Sequence, residues 1–189
     1  MKILFISLGC DKNLADSEEM LGLLTGNGHE IVDSEEEADA IVINTCCFIH
    51  DAKEESVNTI LEMAEYKKTG TCKILIVTGC MAQRYKEEIT EEIPEVDAVL
   101  GTTSYGDIVK ALNEAEAGHV FQEFKDINAL PEDSGRRVIT TGGHYGYLKI
   151  AEGCDKHCTY CIIPSLRGKF RSVPEERLLK QAEYMASQG

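Results

Sequence analysis

Short apolar runs alternate with stretches of helical periodicity along the first half of the chain. The apolar runs are nearly continuous, which is typical of strands that are buried on both faces of a parallel sheet. They cover residues 3–8, 40–44, 74–78 and 98–100, and a weaker strand is predicted at 30–32. The periodic stretches predict helices at 17–24, 52–63, 82–89 and 108–115. Strands and helices that alternate with short links predict an α/β fold, an open parallel sheet with helices on both faces.

Both patterns fade between residues 116 and 144, where proline and glycine interrupt the chain. We interpret residues 134–144 as a linker. It would separate a first domain at 1–133 from a second domain at 145–189.

The second domain is predicted to begin with a strand at 145–151, followed by a cysteine-rich loop and a helix that starts near Ser172. Ser172 and Glu175 have the spacing of a capping box. An apolar stripe follows along the helix, formed by Leu178, Leu179, Ala182 and Met185. Because one strand and one helix cannot bury a core of their own, we expect the opening βα unit of an incomplete domain, and a chain that is a fragment.

Acidic residues outnumber basic residues by 33 to 19, and the excess lies in the first domain. Residues 1–133 hold 28 acidic and 10 basic side chains, whereas residues 134–189 hold 5 and 9. An acidic surface repels phosphate backbones, so we do not expect the first domain to bind nucleic acid. No apolar run approaches the roughly 20 residues of a membrane span, and the apolar start is shorter than the core of a signal peptide. These features predict a cytoplasmic protein with no membrane partner.

Eight cysteines in a chain without an export signal favour metal binding or redox chemistry over disulfides. Cys154, Cys158 and Cys161 are separated by three and then two residues. A loop with this spacing can aim three thiolates at a cube-shaped iron–sulfur cluster and leave the fourth iron open. Zinc is the main alternative, but it usually takes four protein ligands, and His157 is the neighbour that could complete the set. Inert thiols are the third alternative.

Three further cysteines, Cys10, Cys46 and Cys80, each follow a predicted strand. In a parallel sheet these strand ends share one edge, where open α/β folds bind their ligands. Three widely separated thiols can therefore converge on a second metal site. The alternative is that buried cysteines serve as small apolar side chains, which suits Cys72 because it precedes its strand. Cys47 is ambiguous because it adjoins Cys46.

The cysteine-rich loop, with the preceding segment 147–154, resembles the radical S-adenosylmethionine (SAM) superfamily. The resemblance implies a 4Fe-4S cluster on Cys154, Cys158 and Cys161 whose open iron chelates SAM. One electron then cleaves SAM to methionine and a 5'-deoxyadenosyl radical. Tyr160 matches a position whose neighbourhood contacts the adenine in that superfamily; simple packing of the loop is the alternative.

Segments 7–14, 16–18, 44–49 and 78–83 resemble the amino-terminal domain of the methylthiotransferases, and the likeness covers nearly the whole chain. Within that family the chain is most similar to the RimO type. The resemblance implies two 4Fe-4S clusters, the second on Cys10, Cys46 and Cys80. It also implies that SAM supplies both the radical and the methyl group.

RimO-type enzymes place a methylthio group on the β-carbon of an aspartate in small-subunit ribosomal protein twelve, so this protein is the expected partner, with an unidentified electron donor. A methylthiotransferase of tRNA adenosine is the first alternative, and a non-enzymatic metal-binding or redox module is the second. Cys47 departs from the pattern, since RimO-type sequences commonly have glycine there.

The rest of a TIM-like radical SAM barrel, and the TRAM module with which the family recognises its substrate, do not follow. We therefore expect this piece to be inactive alone. If both clusters serve one reaction, the cysteine edge of the sheet should dock over the mouth of the barrel. Arg167 and Lys169 are interpreted as an exposed basic pair that either neutralises SAM or an acidic substrate or has no specific role.

Overall fold

A computed structural model describes residues 1–132 and 135–188, which we call the first and second regions. The predicted domain boundary at residues 133 and 134 lies outside the described residues. The strands are β1 (Lys2–Ser7), β2 (Glu30–Val32), β3 (Ala40–Thr45), β4 (Ile74–Gly79), β5 (Ala98–Leu100), β6 (Phe121–Glu123), β7 (Ala151–Glu152) and β8 (Arg171–Ser172). The helices are α1 (Asp11–Gly26), α2 (His50–Thr69), α3 (Cys80–Arg84), α4 (Lys86–Glu92), α5 (Ile108–Glu116), α6 (Ile163–Arg167) and α7 (Glu175–Ser187).

Six parallel strands form one sheet in the order β2-β1-β3-β4-β5-β6. The predicted fold class, an open parallel sheet flanked by helices, is confirmed. The five strands expected from the sequence are present, and β6 is a sixth that lies in the stretch interpreted as irregular. β6 has only three residues and pairs with β5 alone, so it leaves no long apolar run in the sequence.

The two faces of the sheet bury separate apolar layers. Ile43 and Val77 point to the layer formed with α2, α3 and α4. Val42 and Ile76, one residue before each, point to the layer formed with α1 and α5. Successive strand residues alternate between faces, so a strand covered on both sides must be apolar at every position.

Three of the predicted helices have clearly different bounds. α2 begins two residues before the helix predicted at 52–63 and ends six residues after it. α1 begins six residues before the predicted start at residue 17, because its first turns bury polar side chains, among them Asn13 and Asp16, which hydrophobic periodicity cannot detect. The helix expected at 82–89 is two helices, α3 and α4, separated at Tyr85, whose φ of −125° is not helical.

The second region contains little regular structure. The predicted strand at 145–151 is wrong for most of its length, because β7 comprises Ala151–Glu152 and pairs only with the two residues of β8. The capping box is also wrong. Ser172 lies in β8, α7 begins at Glu175 after Pro174, and no side chain caps the helix.

The apolar stripe of α7 is largely uncovered, and no described residue of that helix is buried. Leu179 is 56% exposed. None of the helices in the described ranges is both long enough and apolar enough to cross a bilayer.

Candidate metal centres

The first set of predicted ligands lies where three neighbouring strands end together. Ser7 on β1 is level with Asn44 on β3, which is level with Thr78 on β4. Cys10 follows this row by three residues, and Cys46 and Cys80 each follow it by two. Adjacent strands are about 4.8 Å apart, so the row spans about 10 Å. The register therefore brings three distant cysteines to the carboxyl edge of the sheet.

Two of the three cysteines in this trio are buried, and the third is exposed. Cys46 and Cys80 are buried, and Cys10 is exposed at the start of α1. Gly9 has a φ of +93°, and a Cβ there would lie 2.6 Å from Cys46 Cβ and 2.9 Å from Cys46 Sγ. Glycine at this position therefore lets the loop that carries Cys10 approach Cys46.

Burial raises the pKa of three cysteine thiols of the first region, Cys47 and Cys80 near the carboxyl edge and Cys72 before β4. Burial raises the pKa of the Cys80 thiol, while the nearby Arg167 guanidinium opposes that rise. Burial raises the pKa of Cys47 to about 11, and its thiol donates to the Cys80 carbonyl at 3.3 Å. Cys72 has a raised pKa, mainly because it is buried, and donates to the Ile74 carbonyl at 3.3 Å. Cys47 and Cys72 are therefore protonated thiols at neutral pH.

The second set of predicted ligands occupies the loop between β7 and α6. Cys154 and Cys161 are half-buried and Cys158 is exposed. The Cys161 amide donates to the Cys158 carbonyl at 3.0 Å, and the Lys156 amide donates to Cys154 Sγ at 3.4 Å. A cleft of about 580 Å³ beside Cys154 is lined by residues that include His157 and Lys169.

Tyr160 projects from this loop and is 91% exposed. The side chain therefore does not pack against the described residues. The role of Tyr160 near the adenine of SAM stays a prediction.

Neither trio is drawn together in the structure. Within residues 1–132 and 135–188, no three His, Cys, Asp or Glu side chains are grouped closely enough to hold a metal ion. The eight cysteines, all within the described residues, are free thiols. Thiols are the donors that iron–sulfur clusters take, so the donor chemistry and the shared edge fit such a group. Because neither set of thiols is grouped in the structure, the choice of ligands stays a prediction.

A buried network of charges joins the two regions, and no local pattern in the sequence predicts it. Arg167 donates to Asp16 Oδ2 at 2.7 Å and to Asn13 Oδ1 at 2.5 Å. Lys149 contacts Asp16 Oδ1 and lies 2.7 Å from Glu152 Oε1. Arg167 was expected to be exposed, which is wrong, because its side chain is 7% exposed. Buried charges of this kind persist when each has an opposite partner.

The network shifts the pKa values of its members in opposite directions. Burial alone would raise the pKa of Asp16, but the charges of Lys149 and Arg167 outweigh it and hold that pKa below its usual range. Burial alone would lower the pKa of Lys149, but the neighbouring Asp16 and Glu152 raise it well above its usual range. Asp16, Lys149 and Arg167 are therefore all charged at neutral pH.

A second polar contact lies two residues beyond Asp16 on α1. Glu18 is fully buried and accepts from Arg137 Nε at 2.8 Å and from the amide and hydroxyl of Thr140 at 2.7 and 2.8 Å. A Cβ at Gly22 would lie 2.7 Å from the backbone of Arg137, so the glycine admits this segment. The signal in the sequence was the acidic group Asp16, Glu18 and Glu19, placed just before the apolar second half of the helix.

Comparison with known proteins places these residues in a family. The family model described as "Uncharacterized protein family UPF0004" matches residues 2–101. Over the whole chain, the protein is 65% identical to the ribosomal protein uS12 methylthiotransferase RimO of Lachnoclostridium phytofermentans. It is 50% identical to the protein of the same name from Clostridioides difficile, and 49% identical to that from Acetivibrio thermocellus. The chain spans 43% of the length of each of these relatives.

Proposed function

Because the chain belongs to the UPF0004 family, we propose that it is part of a methylthiotransferase that modifies ribosomal protein uS12. Relatives that carry this name align with the whole chain at identities up to 65%. The observation that carries the proposal is the parallel register of β1, β3 and β4. Because these strands end side by side, Cys10, Cys46 and Cys80 lie at one edge of the sheet.

The two cysteine trios would hold two 4Fe-4S clusters. Cys10, Cys46 and Cys80 would hold one, and Cys154, Cys158 and Cys161 would hold the other and bind SAM through its open iron. When bound, the clusters and SAM would supply abstraction of a hydrogen from an unactivated carbon and transfer of a methylthio group to it. Cys154 is held for this role by its amide, which donates to the Gly168 carbonyl at 3.0 Å.

The second region docks on the edge that carries the first trio. Thr102, just beyond β5, donates to the Leu166 carbonyl at 2.7 Å, and Leu166 is buried in the core layer beside Cys80. Helix α6, which follows the loop of the second trio, thereby contacts the sheet at the edge that carries the first trio. This arrangement supports a single reaction that uses both sites.

The protein would act in the cytoplasm, where ribosomal protein is made and assembled, and would receive electrons from a donor that is not identified. In this proposal residues 1–133 form the amino-terminal domain, 134–144 the linker and 145–189 the start of the radical SAM domain. The acidic excess of residues 1–133 supports a protein substrate rather than tRNA.

The proposal is tested with the full-length protein, reconstituted anaerobically and supplied with SAM, a reductant and uS12. Roughly eight irons per chain are expected for two cubane clusters, and mass spectrometry should locate a methylthio group on one aspartate of uS12. A parallel reaction with tRNA should give no product. Modified adenosine would instead support the tRNA alternative, and bound zinc without turnover would support the non-enzymatic module.

A further inference from the structure

Arg167 reaches from the end of α6 to the carboxyl edge of the sheet. Its guanidinium donates to Asn13 Oδ1 and Asp16 Oδ2, at 2.5 and 2.7 Å, and the side chain is 7% exposed. Both acceptors belong to the first two turns of α1. A buried cation that is hydrogen-bonded to two side chains of one helix fixes α6 against α1.

Asn13 in turn contacts every loop that carries a cysteine of the first trio. Its amide nitrogen donates to the Leu8 carbonyl at 3.0 Å and to the Thr45 carbonyl at 2.9 Å. These residues lead directly into the loops of Cys10 and Cys46. The Asn13 side-chain oxygen accepts from Cys80 Sγ at 3.8 Å. Arg167, through this oxygen, is therefore one side chain away from all three loops.

On its other side, Arg167 is joined to the second trio by the backbone. The next residue, Gly168, accepts a hydrogen bond at 3.0 Å from the amide of Cys154. Gly168 and Gly153 both have a φ of +71°, and a Cβ at Gly153 would lie 2.5 Å from the Gly168 carbonyl oxygen. A displacement of Arg167 would therefore displace the first cysteine of the second loop.

We propose that Arg167 is a positioning residue that holds the loop of Cys154 in register with the edge that carries Cys10, Cys46 and Cys80. This inference rests on the proposed function, in which the carbon activated at one site receives sulfur from the other. A misplacement of about 1 Å can cost about a hundredfold in the rate of such a coupled step. Loss of Arg167 should therefore separate SAM cleavage from methylthio transfer.

The test measures two products in the full-length, reconstituted protein, namely 5'-deoxyadenosine and methylthiolated uS12. In Arg167→Met we expect the amount of modified uS12 per 5'-deoxyadenosine to fall about tenfold or more, while 5'-deoxyadenosine is still formed. Arg167→Lys keeps a cation but loses the planar pair of donors, so it should restore the ratio in part. A merely structural role would lower both products in proportion and leave the ratio unchanged.

Lys67→Met is the matched control. Lys67 forms a half-buried ion pair with Asp97 at 2.5 Å, just before β5 at the opposite edge of the sheet. Its loss should lower stability without changing the product ratio.

An unchanged ratio in folded Arg167→Met overturns the inference. If that variant does not fold, Arg167→Lys decides, because a ratio equal to that of Lys67→Met contradicts the inference and a lower ratio supports it. If the wild-type protein forms no methylthiolated uS12, the proposed function itself fails and this inference fails with it.

Discussion

The first region is held together by apolar burial, whereas the second region is held to it by buried charge. Ile43, Leu75 and Ile76 lie in the sheet with no accessible surface. The second region instead places Lys149 and Arg167 against the Asp16 carboxylate of the first. The contrast shows that the first region can bury a core by itself. The conformation of the second region depends on its contacts with α1.

Apolar contacts and charged hydrogen bonds also differ in how closely they fix the positions of the residues that they join. Apolar burial stabilises a fold but is tolerant of small displacements, since dispersion and hydrophobic contacts have no strong direction. Charged hydrogen bonds require their partners at a set distance and angle. The placement of one cysteine site relative to the other is therefore set by these polar contacts, which lie along the first two turns of α1.

The strongest test of the comparison removes one cysteine from each region of the full-length protein. Cys154→Ala should abolish SAM cleavage while the iron of the other cluster remains bound. Cys46→Ala should abolish methylthio transfer while SAM cleavage continues. Product analysis and iron determination distinguish the two, and Cys72→Ala, which alters a buried thiol before β4, should leave both activities in place. Retained SAM cleavage in Cys154→Ala would contradict the assignment.

Breaking the contact at Glu18 should have the largest effect on stability. Arg137→Met would leave a fully buried carboxylate without its cation, and such changes cost about 3–5 kcal/mol. Urea unfolding followed by circular dichroism measures the loss. Lys2→Met breaks a solvent-exposed pair with Glu37 and should leave the midpoint nearly unchanged. Equal midpoints for the two variants would refute the importance of the buried pair.

Matched truncations of apolar side chains should separate the regions. Ile76→Ala removes a fully buried side chain and is expected to cost about 2–5 kcal/mol. Leu179→Ala, on the uncovered stripe of α7, should change the free energy of unfolding of this chain by less than about 0.5 kcal/mol. A similar cost at both positions, measured by urea unfolding, would show that α7 is packed in this chain.

Acid should loosen the second region before the sheet. Because Lys149 and Arg167 hold the pKa of Asp16 below its unfolded value, the stabilisation is complete above about pH 3.9 and is lost as the pH falls through the lower folded value. Glu152 also faces both cations. Glu19 lies nearby with a pKa that burial raises, so its protonation opposes the loss.

Hydrogen exchange measured as the pH falls from about 5 through 3.9 and below should therefore show protection falling first in residues 149–173. Asp16→Asn should remove this pH dependence. If the sheet loses protection at the same pH as the second region, the network is not what holds the two together.

The predicted strands illustrate how far the sequence leads. β2 was predicted with its observed bounds, Glu30–Val32, and the placement of Cys10, Cys46 and Cys80 at one edge followed from strand order alone. Both predictions depend on which strand residues are buried, and buried strands are visible in the sequence as apolar runs. β6 and the true start of α1 leave no such run, because one is a short edge strand and the other buries polar side chains.

The sequence by itself thus determined the layered α/β fold and the two cysteine sets, since periodicity and spacing are local properties of the chain. Its motifs, by their resemblance to a known family, indicated the kinship with methylthiotransferases. Only the tertiary structure decided the partners of the buried charges. Asp16 and Arg167 are separated by 151 residues, and nothing in either local segment indicates the other. Ion pairs of this kind depend on which surfaces meet after the sheet has formed, so they are read from the folded molecule.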